Sequence, residues 1–329
     1  MTITRRDIMR GAAAGTAAAA LVGAGIRPAA AQARIDQLQL FVPAAPGGGW
    51  DQTARTMEQV LREMGAIGSA QVTNVPGAGG TVGLPQFATQ WRGRQNALMV
   101  GGMVMVGAII ANKAPVDLSM TTPIARLTGE ALAIVVPAAS PHRNLASLVD
   151  ALKANPGGVS WAGGSAGGSD HILAGLVAKA AGVDPRALSY VAFAGGGPAQ
   201  AALLGNQVTA GVSGYGEFAE QVKAGNLRVL AISAEEPIPG IDAPTIKQAG
   251  LDVSLFNWRG VFAPPGVNAQ ARQAMISLME RMAASEQWQR ELKTRDWTGI
   301  LLTGDAYTQY VQSETQRITG ILKDLGLAT

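Results

Sequence analysis

Glycine clusters constrain this chain more than any other feature, because each falls between an apolar run fit for a buried strand and a stretch with helical spacing. Residues 38–42 give a short strand signal. Pro43 and Pro46 end it, and Gly47, Gly48 and Gly49 lead into a pattern in which Trp50, Ala54, Met57, Leu61 and Met64 recur at helical steps. Gly65 follows where a left-handed C-terminal cap belongs. The order repeats with a strand at 72–75, the turn Pro76-Gly77-Ala78-Gly79-Gly80-Thr81 and a helix at 82–91. It returns with a strand at 159–162, the turn Gly163-Gly164-Ser165-Ala166-Gly167-Gly168-Ser169 and a helix at 170–181 closed by Gly182. A fourth case runs from 188–193 through Gly195-Gly196-Gly197 to Pro198, a favoured first helical residue, and a helix ending near 204. Further strands are expected at 97–100, 131–136, 208–212, 228–232 and 256–264, and the stretch 269–325 reads as mostly helical. Such alternation predicts an α/β fold with mainly parallel sheets, where ligands collect at the carboxyl ends of the strands.

A strand that feeds a glycine turn and then a helix exposes unpartnered N–H groups and the positive end of the helix dipole. Glycine lets an anion approach those groups without a Cβ in the way. One such loop has a bland alternative, since many turns carry glycine merely to bend. Four of them suit a small anion gripped from more than one side. A dinucleotide site would call instead for one G-x-G-x-x-G with an acidic residue about 20 positions on.

Charge narrows the class further. The 329 residues carry 26 basic and 23 acidic side chains, but Arg5, Arg6, Arg10 and Arg27 fall before residue 34 with only Asp7 against them. Residues 1–33 have the form of a cleaved export signal: a twin-arginine-like Thr4-Arg5-Arg6-Asp7, an Ala/Gly-rich stretch, and a small-x-small site at Ala31-Gln32-Ala33. What remains is formally neutral, which leaves no electrostatic footprint for nucleic acid. The apolar run 97–111 is broken by Gly101, Gly102 and Gly107 and is too short to span a membrane. Two histidines and no cysteine leave a catalytic zinc without ligands. Asp170-His171 with Ser165 or Ser213 makes a poor nucleophile set, because adjacent helical residues diverge by about 100° and there is no G-x-S-x-G elbow. No catalytic residue, metal ligand or cofactor is expected.

The assembled motifs resemble the periplasmic solute-binding proteins of tripartite tricarboxylate transporters, the Bug receptor family. The resemblance runs through Val42-Pro43, Pro46-Gly47-Gly48-Gly49, Asp51 and Arg55; Asn74 with the 76–81 turn and Gly83; the 163–169 loop with His171; Gly195-Gly196-Gly197-Pro198 with Leu203-Leu204-Gly205; and Trp258 with Ala263-Pro264. The segments around Trp50, 96–107 and 257–266 are similar to the tricarboxylate-type subgroup. Ser213-Gly214-Tyr215-Gly216-Glu217 departs from the Asp-Asn pair common in the family there. The resemblance implies a two-lobed "Venus flytrap" with two mainly parallel sheets and crossing β segments near 126–134 and 256–262. Lobe 1 would comprise residues 34–127 plus 259–329, and lobe 2 residues 128–258. It also implies an extracytoplasmic, periplasmic receptor that is not an enzyme, binds a small di- or tricarboxylate such as citrate, and delivers it to large and small membrane permease subunits. A carboxylate sensor feeding a signalling protein is the alternative, and a secreted hydrolase a remoter one.

The expected ligand-facing set is Gly47, Gly48, Gly49, Trp50, Asp51, Gly77, Ala78, Gly79, Gly80 and Thr81 from the first two loops. Ser165, Ser169, Asp170, Gly196, Ser213 and Tyr215 complete it from the second half. For Asp51 the choice is between ordering the helix start and accepting from the ligand, and for Trp50 between walling the pocket and filling the core. Ser165, Ser169 and Asp170 are read as both capping and binding. His171 is read as packed on the sheet. Arg259, alone in charge on its strand, is read as paired with an acid from the other lobe in preference to clamping a second carboxylate.

Overall fold

A computed structural model describes residues 35–193 and 196–328. The expected export signal, and Gly195 in the fourth glycine cluster, lie outside the described residues.

The first half of the fold is built as the glycine grammar requires. Strand β1 (Ile35–Val42) passes through the loop into α1 (Gly49–Glu63), and Gly65 takes the left-handed φ of 63° that ends the helix. Strand β2 (Ile67–Asn74) leads through a tight 3-10 turn to α2 (Gly83–Gln90), and β3 (Ala97–Gly102) runs directly into α3 (Met103–Ala111). Strand β1 lies between β2 and β3, parallel to both. After the 16-residue β4 (Thr122–Pro137) comes a second parallel set, in which β5 (Ser160–Gly163) lies between β6 (Ser189–Ala192) and β7 (Ala210–Gly214). Helices α4 (Leu145–Ala154), α5 (Ser169–Ala180), α6 (Gly196–Leu204) and α7 (Tyr215–Lys223) alternate with these strands.

Strand β4 joins the two sets. Its first part pairs antiparallel with β9 (Phe256–Ala263), which in turn pairs with β3; its last part pairs antiparallel with β7 and with β8 (Leu227–Ile232). The result is one mixed ten-stranded sheet, parallel in each flank and antiparallel at the join. The apolar run in β4 is buried on both faces, as a strand crossing the middle of a fold must be.

Three elements were not anticipated. The C-terminal region is not wholly helical: between α9 (Glu286–Thr294) and α10 (Gly304–Asp324), β10 (Thr298–Thr303) adds antiparallel to β4. Helix α8 (Ala269–Ala284) precedes them as expected. Helices α4 and α7 carry short apolar stripes, four and three buried residues long, too few to stand out as periodic in the sequence.

Candidate functional site

The carboxyl ends of both parallel sets open on one cavity of about 470 Å³. Its first wall is Pro43, Ala44 and Ala45 after β1, Gly49 and Trp50 at the start of α1, Pro76 to Gly79 after β2, and Val104 of α3. The second wall is Gly164, Ser165, Gly168, Ser169 and Asp170 between β5 and α5, Gly196 at the start of α6, Ser213 and Gly214 of β7, and Glu217 of α7. Asn257 and Arg259, two residues apart on β9 and so on one face of it, form the floor. A second cavity of about 530 Å³ shares Gly49, Gly196, Glu217 and Arg259 with the first and is further lined by Gly47 and Gly48.

Both walls present a helix N-terminus that no side chain caps in the usual way: the N-cap residues are Gly48 for α1 and Gly168 for α5. In each case a first-turn aspartate reaches back to the glycine loop instead. Asp51 accepts from the Gly47 N–H at 2.8 Å, from Arg55 Nε at 2.8 Å and from Asn74 Nδ2 at 3.0 Å. Asn74 also donates to the Ala44 carbonyl, so the end of β2 is tied to the loop after β1. Asp170 accepts from the Gly164 N–H at 2.8 Å and from Ser169 Oγ at 2.9 Å. The acids thus fix the loop shape and leave the first-turn N–H groups of each helix for a guest.

The turn after β2 is held in a sparsely populated conformation. Gly77, Ala78, Gly79 and Gly80 all have positive φ, and for Ala78, at 45°, that is strained backbone on the cavity wall. A Cβ on Gly79 would come 2.5 Å from the Ala108 Cβ, so α3 backs this turn closely.

Several glycines serve a purpose the sequence did not suggest. A Cβ on Gly49 would lie 2.7 Å from Arg259 Nη2. One on Gly196 would overlap the Glu217 carboxylate and come 2.6 Å from Ser213 Oγ, and one on Gly214 would overlap the Glu130 carboxylate. These glycines make room for charged side chains of the protein itself, in addition to leaving the cavity wall bare at Gly49 and Gly196.

Those charges form one cluster. Arg259 Nη2 donates to Glu130 Oε2, both side chains being buried, and the guanidinium also lies 5.2 Å from the centre of the Trp297 ring. The register explains the pair: Arg259 stands opposite Thr128 across β9 and β4, and Glu130 is its diagonal neighbour. Burial pushes Asp170 up to about 6 against the pull of the Gly164 N–H and Ser169, and the Glu130 charge adds to the rise. Glu217 offers accessible surface to both cavities yet is surrounded by protein, and that desolvation, with the charges of Glu130 and Asp170, pushes it up to about 7. Asp51 goes the other way: burial works to raise it, but Arg55, the Gly47 N–H and Asn74 outweigh burial and hold it below the ordinary value.

Of the residues singled out in the sequence, the structure brings Gly49, Trp50, Gly77, Ala78, Gly79, Ser165, Ser169, Asp170, Gly196 and Ser213 to the first cavity. Gly47 and Gly48 face the second. Trp50 both walls the cavity and fills the core, with only 7% of its surface exposed. Asp51 orders the loop and does not line the cavity. Gly80 stands behind the Trp50 ring, and the Thr81 hydroxyl turns back to the Ala78 carbonyl at 2.8 Å. Tyr215 packs into the core beside Phe218 and Ala219 instead of facing the cavity. His171 stacks on Tyr190, ring centroids 4.0 Å apart, and its Nδ1 accepts from the Gly167 N–H. Burial lowers its pKa to about 4, so it is a neutral, structural imidazole. Among the described residues no His/Cys/Asp/Glu group could hold a metal ion, and no helix is long and apolar enough to cross a membrane. Glu217, Asn257 and the Glu130 behind Arg259 were missed; the sole acid in the apolar run of β4 was the signal available for Glu130.

The model of the tripartite tricarboxylate transporter family receptor matches residues 54–327. The chain belongs to that family. BugT of Bordetella pertussis is 26% identical to this Bug-type receptor over 303 residues, 88% of this chain and 89% of BugT. The solved structure of the periplasmic binding protein BugD has a TM-score of 0.77 at 21% identity, covering 89% of this chain and 98% of BugD. A protein of R. palustris solved with adipate has a TM-score of 0.79 at 20% identity, again covering 89% of this chain and 98% of the other. These likenesses show the mixed α/β fold of periplasmic binding proteins, and the family is one of solute receptors.

Proposed function

We propose that this Bug-type receptor captures a small organic acid between its two walls and delivers it to the membrane subunits of a tripartite transporter. The observation that carries the reading is the first wall itself. It holds no ionisable side chain, yet it joins the uncapped start of α1 to a turn whose amides are held in strained, positive-φ backbone. Such a wall suits a carboxylate, because fixed N–H dipoles and a helix end stabilise negative charge without a counter-ion. The family description names tricarboxylates, and the R. palustris relative of the same fold was solved with adipate, a dicarboxylate. A citrate-like di- or tricarboxylate is therefore the starting class.

The two walls belong to two lobes in this reading, residues 34–127 with 259–329 and residues 128–258, which close on the ligand by a hinge. Residues 1–33 direct export, by the twin-arginine route, and the receptor works in the periplasm without catalysis. A ligand that binds the folded state at 100 times its Kd adds about 2.7 kcal/mol of stability, roughly 5 °C in Tm for a chain of this size. A thermal-shift screen of organic acids is the test, and no shift with any member of a broad panel would remove the reading.

A further inference from the structure

We propose that the end of the cavity opposite the α1 amides is built for a protonated nitrogen, so that the ligand is a carboxylate that also carries an ammonium group with an oxygen acceptor beside it. This rests on the organic-acid reading above and narrows it.

The argument is one of charge and unmet hydrogen bonds. Every ionisable side chain lining the first cavity is on the second wall or the floor: Asp170, Glu217 and Arg259. The one cation among them is already committed, since Arg259 Nη2 is bound to the buried Glu130. Two carboxylates on the cavity, Asp170 and Glu217, together with the buried Glu130, thus share the region with a single guanidinium. A second ionised carboxylate of a ligand placed there would face Asp170 and Glu217 with the wrong sign, whereas an ammonium has three N–H donors to give them.

The second observation concerns Arg259. The residue is 5% exposed and lines the cavity, yet its Nη1 is buried without a hydrogen-bond partner. A buried donor left unpaired is costly, and an acceptor oxygen next to the ligand nitrogen would satisfy it. Asn257 Oδ1, from the same floor, is also unpaired and would take a donor. The raised Asp170 and Glu217 carboxyls agree: both are ionised against local resistance that a bound cation would relieve.

The test is calorimetry with the purified protein at pH 8. Succinate, glutarate and adipate would be measured against their 2-amino derivatives and against ω-amino monocarboxylates of matching length. The proposal expects at least one nitrogen-bearing acid to bind tenfold or more tightly than its nitrogen-free counterpart. Glu217→Gln should then weaken that ligand at least tenfold while leaving the Tm of the free protein undiminished. Nitrogen-free acids that bind equally well or better, or a Glu217→Gln variant with unchanged affinity for the amino acid, would overturn the proposal and leave the receptor reading standing. Failure of every acid in both sets would remove the receptor reading, and the proposal with it.

Discussion

The three glycines at the start of α1 differ so much in surroundings that alanine at each should give a different result. Gly49 is the sharp case. Its backbone is helical, so alanine gains up to about 1 kcal/mol of helix propensity. Its new Cβ, however, would sit 2.7 Å from Arg259 Nη2 and 2.9 Å from Cζ. That guanidinium is not free to swing, being bound to Glu130 and set against Trp297 in a buried site. Displacing it exposes a buried carboxylate to loss of its partner, which costs about 3–5 kcal/mol when complete. The net for Gly49→Ala is about 2–4 kcal/mol of destabilisation, or roughly 4–8 °C in Tm. Gly48 has φ −72° and ψ 167°, and its Cβ would meet only the Ala45 carbonyl at 3.4 Å. The loss of a better N-cap and the gain from a stiffer unfolded chain roughly cancel there, leaving the change within about 1 kcal/mol. At Gly47 the space is open but φ is +83°, so alanine costs about 1–2 kcal/mol from backbone alone. Denaturant unfolding of the three variants reads the series directly. A Gly49→Ala protein as stable as the wild type would refute the claim that this glycine makes room for a pinned arginine.

Other perturbations follow from the same cluster. Glu130→Leu or Arg259→Leu alone should destabilise by about 3–5 kcal/mol, and the double variant by less than either single, because no charge is then left unpaired; urea unfolding of all three decides it. Asp51→Ala removes the acceptor for Gly47, Arg55 and Asn74 and should cost about 1–3 kcal/mol and loosen ligand binding, as calorimetry would show. Without ligand, stability should fall as pH rises from about 4 to above 7. Burial pushes the folded Asp170 and Glu217 carboxyls up to about 6 and about 7, above the ordinary carboxylate range, so across that window the folded state holds more protons than the unfolded. Glu217→Gln should flatten the upper part of that slope. Below pH 4 the trend reverses for Asp51, whose lowered folded pKa gives stability that disappears only on strong acidification.

How far the sequence could be read depended on whether a feature is local. The β1–α1 and β5–α5 junctions were legible because proline, glycine and helical spacing act within a dozen residues, and the structure places those helix starts within one residue of the reading. Strand β10 was not: its few apolar residues lie between two helices, and only the antiparallel ladder to β4 makes them a strand. The same limit held at the site. Arg259 could be marked as needing an acid, but Glu130 emerges only from the cross-strand register of β4 and β9. Tyr215 is expected from the sequence to face the ligand with Ser213, yet α7 starts at that position and turns its ring into the core. Gly49 and Gly196 are legible as bare backbone beside a ligand, but the distant side chains that crowd their missing Cβ atoms, and that of Gly214, are not.

The most direct test of the carboxylate wall is an amide NMR titration of the isotope-labelled protein with an acid taken from the thermal-shift screen. The account predicts the largest shifts at the N–H signals of Gly49, Trp50, Ala78 and Gly79, the backbone donors that line the first wall. A ligand that binds tightly while those four signals stay in place would contradict it.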